Sequence, residues 1–298
     1  ARVYATCHGA YQLSMNGMRP DDREFAPEFT VYSKYLCYQT YDVTPFLREG
    51  GNVIGMLVGD GWYDSANFKP RSRKFKAEHS VLFQIKIDYE DGTSEMVLSD
   101  DTVKVSESPI RSSDLFAGEL YDARMEQENW NCCGFDDSSW LDVKINTEYK
   151  GEISAWSGVP ITVRQDLERQ LQTATVYNGA SGEVRNEANE VVYYGKVNVD
   201  RTYSNGDAIT LNPGETLLVD FGQNFAGWEA FTLQAEAGTR IMVEHGEMLN
   251  DGNGAKARGN DGPEGSIYNE NYRTATANTV YIASGAEQES YHPSHSFY

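Results

Sequence analysis

Few stretches of this chain hold an apolar period of helical spacing for three turns. Apolar residues come instead in short runs that alternate at period two and are cut by Gly, Asn and Asp. Val3-Tyr4-Ala5-Thr6-Cys7 and Tyr11-Gln12-Leu13-Ser14-Met15 flank His8-Gly9-Ala10, and the second run ends at Asn16-Gly17, a strong hairpin signal. Similar strand-like runs occupy 38–43, 52–58 and 80–89, the last through Val81, Phe83, Ile85 and Ile87. Thr44-Pro45 opens a single capped turn, and Asp91-Gly92 turns back toward Met96 and Leu98. Many short strands separated by turn residues imply an all-β protein built as β-sandwiches or jelly rolls.

At 298 residues the chain is long enough for two domains with separate cores. The pattern weakens near Lys150-Gly151-Glu152 and Ser157-Gly158-Val159-Pro160, which places domains at 1–155 and 156–298. A short helix is expected at 166–173. Strands resume at 191–199, 207–211, 217–221, 228–235, 240–244 and 279–283, with a long polar loop at 249–266. Residues 112–124 read as extended and aromatic, and Trp130 and Trp140 bracket a polar loop.

The formal net charge of −20 repels phosphate backbones and anionic lipid, so neither nucleic acid nor membrane is an expected partner. No run approaches the ~20 apolar residues of a spanning helix. Ala1 begins directly in an alternating run without a signal-peptide core, so the chain reads as a piece of a longer protein. Its compartment is therefore unknown, with a periplasmic or extracellular location favoured over the cytoplasm. Cys7, Cys37, Cys132 and Cys133 do not make a dense disulfide scaffold. Isolated thiols are expected; a Cys7–Cys37 bridge is the alternative, without support in the sequence.

Asp220-Phe221-Gly222-Gln223-Asn224-Phe225-Ala226-Gly227-Trp228 reads as strand, tight turn and strand, because Gly and Asn tolerate positive φ. Phe221 and Phe225 flank the turn and are expected to be buried. The Asp-Phe-Gly is not the kinase triplet, since the Gly-rich loop, strand lysine and catalytic loop are missing.

This stretch is followed by Glu244-His245-Gly246-Glu247-Met248-Leu249, Tyr268-Asn269-Glu270-Asn271-Tyr272-Arg273, Tyr281-Ile282-Ala283-Ser284-Gly285 and the closing Tyr291-His292-Pro293-Ser294-His295-Ser296-Phe297-Tyr298. Earlier come Asn16-Gly17-Met18-Arg19, Phe25-Ala26-Pro27, Gly59-Asp60-Gly61-Trp62-Tyr63 and Gly118-Glu119-Leu120-Tyr121-Asp122-Ala123-Arg124. In order and spacing the series resembles the non-catalytic β domains of bacterial α-L-rhamnosidases, inverting glycoside hydrolases that release terminal rhamnose. The resemblance covers nearly the whole chain. It implies two β-sandwich domains, jelly-roll and concanavalin-like, that precede a large α/α barrel carrying the acid and base. The expected partners are that C-terminal barrel and rhamnose-containing glycans. The rival reading is a free-standing carbohydrate-binding or adhesion protein. A glycosidase of other sugar specificity is a third.

No catalytic residue is expected in this chain. Inversion needs two carboxyl groups facing across a water-sized gap. Glu119 with Asp122, and Glu244 with Glu247, are spaced three apart, which on a strand points them to opposite faces. Glu244-His245-Gly246-Glu247 is not a helical zinc motif and reads as strand-end residues bonding loop backbone. Asp251-Gly252-Asn253 lacks the later ligands of a calcium loop and reads as a turn. No metal ligand and no Gly-x-Ser-x-Gly elbow is found. The candidate sugar site is Trp62 and Tyr63, an aromatic platform beside the loop 64–73, with Asp22 and Arg23 as polar partners. The competing role for Trp62 is a core anchor. Some first modules of the family bind rhamnose through calcium at an Asp-Asn pair. Here Arg23 stands in the Asn place and its charge opposes the ion. Calcium is thus disfavoured, and no cofactor is expected.

Overall fold

The computed structural model describes residues 1–65, 78–254, 262–272 and 275–294. The protein is all-β, and the helices among the described residues are single turns of 3-10 type. Among the described residues no helix is long and apolar enough to cross a membrane.

The first compact unit comprises Ala1–Val163, Ala230–Met242 and Thr279–His295. Its main sheet runs in the order Glu152–Ala155, Tyr35–Asp42, Arg2–His8, Ser80–Asp88, Ser94–Leu98. All pairings are antiparallel except the first. Val3 lies between Tyr41 and Ile85, and Ala5 between Gln39 and Phe83. This register turns the period-two alternation into one apolar face. Val3, Ala5, Cys7, Tyr41, Phe83 and Ile85 pack there with Tyr11, Leu13 and Met15. The last three come from Ala10–Met15, which pairs with Ile54–Gly59. Asn16 and Gly17 adopt φ of 52° and 84°, the left-handed pair of a two-residue turn, closed by Met15 and Met18. Inside the core, the Tyr11 hydroxyl lies 2.9 Å from the Ala5 carbonyl and 3.0 Å from Gln39 Oε1, and accepts a hydrogen bond from the Tyr41 hydroxyl at 3.0 Å. The buried hydroxyls are thereby satisfied.

A second sheet of this unit has the order Arg240–Glu244, Asn278–Ile282, Gly118–Asp122, Ile110–Asp114. Phe231–Leu233 pairs separately with Glu289–Tyr291. Ala123, Tyr281, Ala283 and Tyr291 form the core there, with Tyr121 and Phe231 packed against it. Against the 155/156 division read from the sequence, the first change of unit falls between Val163 and Arg164, and the chain later returns to the first unit twice. The physical reason is the open edge of Gly118–Asp122, whose backbone groups are paired by a strand from the far end of the chain.

The second unit comprises Arg164–Glu229 and Val243–Asn278. Thr173–Ser181 is its central strand, antiparallel to both Lys196–Tyr203 and Thr216–Asp220. Ala174 and Val176 are fully buried on one face of it. Several expectations fail here. The helix at 166–173 is a single 3-10 turn at Gln165–Leu167, and Thr173 already belongs to the strand. No strand forms at 207–211, where the Thr210 carbonyl is turned to the Arg201 guanidinium at 3.2 Å. Only Phe231–Leu233 of 228–235 is strand, and it belongs to the first unit. Thr216–Asp220 is therefore followed by turns rather than by a paired strand. Phe225 is 36% exposed and Phe221 half-buried, because the two rings pack edge to face on each other (5.4 Å, 83°).

All four cysteines are free thiols, so the Cys7–Cys37 bridge is not formed. Both residues are buried, and burial pushes the Cys7 thiol well above its usual range.

Candidate functional site

Gly61 (φ 53°) brings the chain close to Ala10, whose Cβ lies 2.9 Å from where a side chain would start. Its N–H donates to the Ser113 carbonyl at 3.1 Å, and Tyr63 N–H returns to the Asp60 carbonyl at 3.1 Å. This tight turn presents Trp62 and Tyr63 to different neighbours. Trp62, half-buried, meets Phe25 (6.0 Å, 64°) and Phe29 (6.3 Å, 69°) edge on, and Phe29 is 51% exposed. Tyr63 packs on His8 (4.7 Å, 32°) and Tyr32 (5.2 Å, 77°). Polar groups lie behind these rings. Asp60 Oδ1 is 3.1 Å from His79 Nε2, and Asp60 Oδ2 accepts Ser113 N–H at 3.1 Å. His8 Nδ1 is 2.7 Å from Ser80 Oγ.

Asp22 is exposed. Arg23 folds inward: its guanidinium carbon sits 5.2 Å over the Tyr41 ring, and Nη2 lies 3.5 Å from Asp21 Oδ2. Arg23 and Trp62 thus have different partners, a stacking face of the core for one and a half-exposed aromatic rim for the other. Of the loop 64–73, only Asp64 and Ser65 are described; Ser65 Oγ donates to Asp114 Oδ1 at 3.1 Å. Sequence reading missed Phe25, Phe29, Tyr32, His8 and His79. Their approach depends on long-range folding, although Phe25-Ala26-Pro27 was visible as a motif.

Burial, and after it the neighbouring His79, hold the His8 imidazole below its ordinary range. His8 is then neutral in the fold while the unfolded chain protonates at about pH 6.5. Its contribution to stability is present above that pH and is lost as pH falls through the lower folded value. Urea midpoints at pH 7.5 and 5.5 are expected to fall further for the wild type than for His8→Asn. Equal falls would refute the assignment.

The paired carboxylates are engaged separately. Glu119, buried, accepts from the Tyr291 hydroxyl at 2.7 Å, from Ser294 N–H at 3.1 Å and from the Ser294 hydroxyl. Burial nonetheless raises its pKa. Asp122 takes the Arg124 guanidinium through both oxygens, at 2.8 and 2.7 Å.

In the second unit, three separated segments meet. Glu247 accepts from Asn224 Nδ2 at 3.4 Å and from Asn271 Nδ2 at 3.1 Å. His245 Nε2 lies 2.9 Å from Glu229 Oε2, and its Nδ1 donates to the Ala277 carbonyl at 2.7 Å. His245 therefore fastens a strand end to loop backbone.

The family model described as the alpha-L-rhamnosidase N-terminal domain matches residues 1–165, and that of the bacterial alpha-L-rhamnosidase concanavalin-like domain matches 209–298. An alpha-L-rhamnosidase of Streptomyces avermitilis is 31% identical over 301 positions, covering 100% of this chain and 24% of that protein. One from Formosa agariphila is 27% identical over 285 positions, covering 95% and 26%. Among solved structures, Streptomyces avermitilis alpha-L-rhamnosidase complexed with L-rhamnose superposes with a TM-score of 0.74 at 31% identity, over 99% of this chain and 24% of that one. The alpha-L-rhamnosidase of Dictyoglumus thermophilum gives 0.71 at 28% identity, over 99% and 27%. The chain spans about a quarter of the length of these relatives. Two family domains in tandem, the first matching more than half of the residues, mean that the chain belongs to the alpha-L-rhamnosidase N-terminal domain family and runs on into the concanavalin-like domain of the bacterial enzymes.

Proposed function

We propose that this chain is the non-catalytic β portion of an enzyme that hydrolyses terminal α-L-rhamnosides with inversion, and that it supports the α/α barrel that performs the chemistry. The observation that carries this reading is the tandem of two rhamnosidase β-domain matches on a chain a quarter as long as its relatives. It is supported by the separate engagement of Glu119, by Tyr291 and Ser294, and of Asp122, by Arg124. An aryl α-L-rhamnoside assay tests it. The chain alone should give no turnover above a mock-purified blank, and the whole polypeptide encoded by its gene should turn over. Turnover by the chain that disappears on replacing one of its carboxylates would overturn the reading, as would an inactive whole polypeptide.

The first module also holds sugar in this proposal, because Phe29 and Trp62 offer a half-exposed aromatic rim. Stacking adds about 1 kcal/mol, and a monosaccharide has few atoms, so affinity near ~1 mM is expected. Arg23, drawn onto Tyr41 and Asp21, stands in place of the family's neutral ligand, and its charge opposes a divalent ion. Rhamnose binding followed by calorimetry should therefore be equal with calcium and with chelator, and weaker in Trp62→Ala. Strict calcium dependence would sink this version of the site and favour a metal-assisted one.

A further inference from the structure

Ser94–Leu98 closes one side of the main five-stranded sheet, and among the described residues no strand lies on its outer side. All of its residues are exposed, including Met96 (49%), Val97 (40%) and Leu98 (52%). The bonds at its two ends fix the direction of its backbone groups. Tyr89 N–H donates to the Thr93 carbonyl at 2.9 Å, and Ser99 N–H donates to the Phe83 carbonyl at 3.0 Å. An antiparallel pair bonds every second residue, so between those ends Glu95 and Val97 are the residues that bond Ile87 and Ile85. The N–H and C=O groups of Ser94, Met96 and Leu98 therefore point away from Ser80–Asp88, to the open side.

Open edges are ordinarily blunted by lysine, proline, a bulge or a very short strand. Ser94-Glu95-Met96-Val97-Leu98 contains neither lysine nor proline, and its register with 84–88 is unbroken. Such a strand can pair with itself, and the bonding parity allows few registers, because outward residues must oppose outward residues. A two-fold axis at Glu95 would set two carboxylates directly opposite each other, which destabilises a sheet. An axis at Val97 would carry Ser94 past the strand, onto Asp100 of the second copy. An axis at Met96 opposes Met96 to Met96 and Ser94 to Leu98, so that every outward backbone group of the strand is bonded. It also places Glu95 beside Val97 of the second copy. Val97 ends the core-side row Val3, Ile85, Val97, and the aliphatic stem of that glutamate covers it.

We propose that Ser94–Leu98 is a self-association edge. A second copy of this chain adds its own Ser94–Leu98 antiparallel, about a two-fold axis at Met96, and the two five-stranded sheets become one. The contact uses the same surface of both copies, so it closes as a dimer. It does not depend on the hydrolysis proposed above. Charge sets its strength. Beyond the ends of the new ladder Asp101 faces Asp91 of the second copy, and each copy carries a formal charge of −20. Salt screens this repulsion, so association is stronger at about 0.3 M than at about 0.03 M NaCl.

Residue-resolved hydrogen exchange by NMR, with sedimentation on the same samples, tests the proposal on the 298-residue chain. In dilute protein the amides of Ser94, Met96 and Leu98 are expected to exchange at least about tenfold faster than those of Glu95 and Val97, which are bonded to Ser80–Asp88. Raising the concentration toward about 1 mM in about 0.3 M NaCl should close that contrast as a dimer appears. Met96→Pro removes an N–H that the monomer does not use in its ladder, and a proline is tolerated at such an edge position. It should abolish the dimer and keep the fold. Met96→Lys, which sets like charges opposite each other on an already exposed position, should weaken association at least about tenfold and leave the melting temperature of dilute protein unchanged. An alternation that persists in concentrated protein without a dimer would overturn the proposal. So would an alternation already absent in dilute protein, because the edge would then be covered within its own molecule. A dimer that survives both substitutions, or that strengthens as salt is withdrawn, would assign association to another surface and overturn it as well.

Discussion

Residues 1–165 expressed without the rest of the chain are expected to show no steep, cooperative unfolding transition, although a family domain ends at that point. The main sheet would retain its pairings, but Gly118–Asp122 would lose the strand Asn278–Ile282 that lies beside it. The cluster around Ala123 would lose Phe231, Tyr281, Ala283 and Tyr291. Each large side chain contributes about 1.5–3 kcal/mol by burial, so three of them are comparable with the ~5–15 kcal/mol margin of a whole domain. Glu119 would lose the Tyr291 hydroxyl and Ser294 N–H as well. Urea unfolding followed by circular dichroism decides the matter, with the 298-residue chain as the control. A transition in 1–165 as steep as its length warrants would show that the returning strands are dispensable.

Tyr281→Ala should destabilise the first unit by about 3–5 kcal/mol, the usual cost of truncating a buried aromatic residue. Tyr281 is 2% exposed, stacks on Tyr121 at 5.8 Å and 10°, and meets Phe231 edge on at 5.9 Å. Its hydroxyl donates to Glu289 Oε2 at 2.7 Å, and that carboxylate also caps Ser284 and Gly285 N–H. Tyr281→Phe should therefore cost about 1.5–3 kcal/mol by leaving the carboxylate one donor short. Phe225→Ala is the surface comparison, at about 0.5 kcal/mol or less. A Tyr281→Ala loss as small as that of Phe225→Ala, measured by denaturant titration, would show that the Tyr281 cluster is not a core.

Much of the strand content could be read from local pattern. Val81, Phe83, Ile85 and Ile87 alternate through Ser80–Asp88, and Asn16-Gly17 turns where the two left-handed residues permit it. The rhamnosidase β-domain identity was legible as well, because its motifs keep their order along the chain. The candidate sugar rim was legible only at Trp62 and Tyr63. Phe29 and Tyr32 reach that rim through a loop whose path no local rule specifies.

Local alternation states which residues share a face, and turn chemistry states where a strand ends. Those two properties determined that this chain is all-β, and its ordered motifs determined the family. Which strand lies beside which was decided by the tertiary structure alone. Every strand edge offers the same N–H and C=O groups, so Gly118–Asp122 carries no local mark that its neighbour is Asn278–Ile282. The same holds for Phe225 and Arg23. A ring predicted to be buried stays half outside because its nearest partner is another ring, Phe221. A guanidinium read as a surface ligand turns inward because the Tyr41 face and Asp21 together offset its lost hydration.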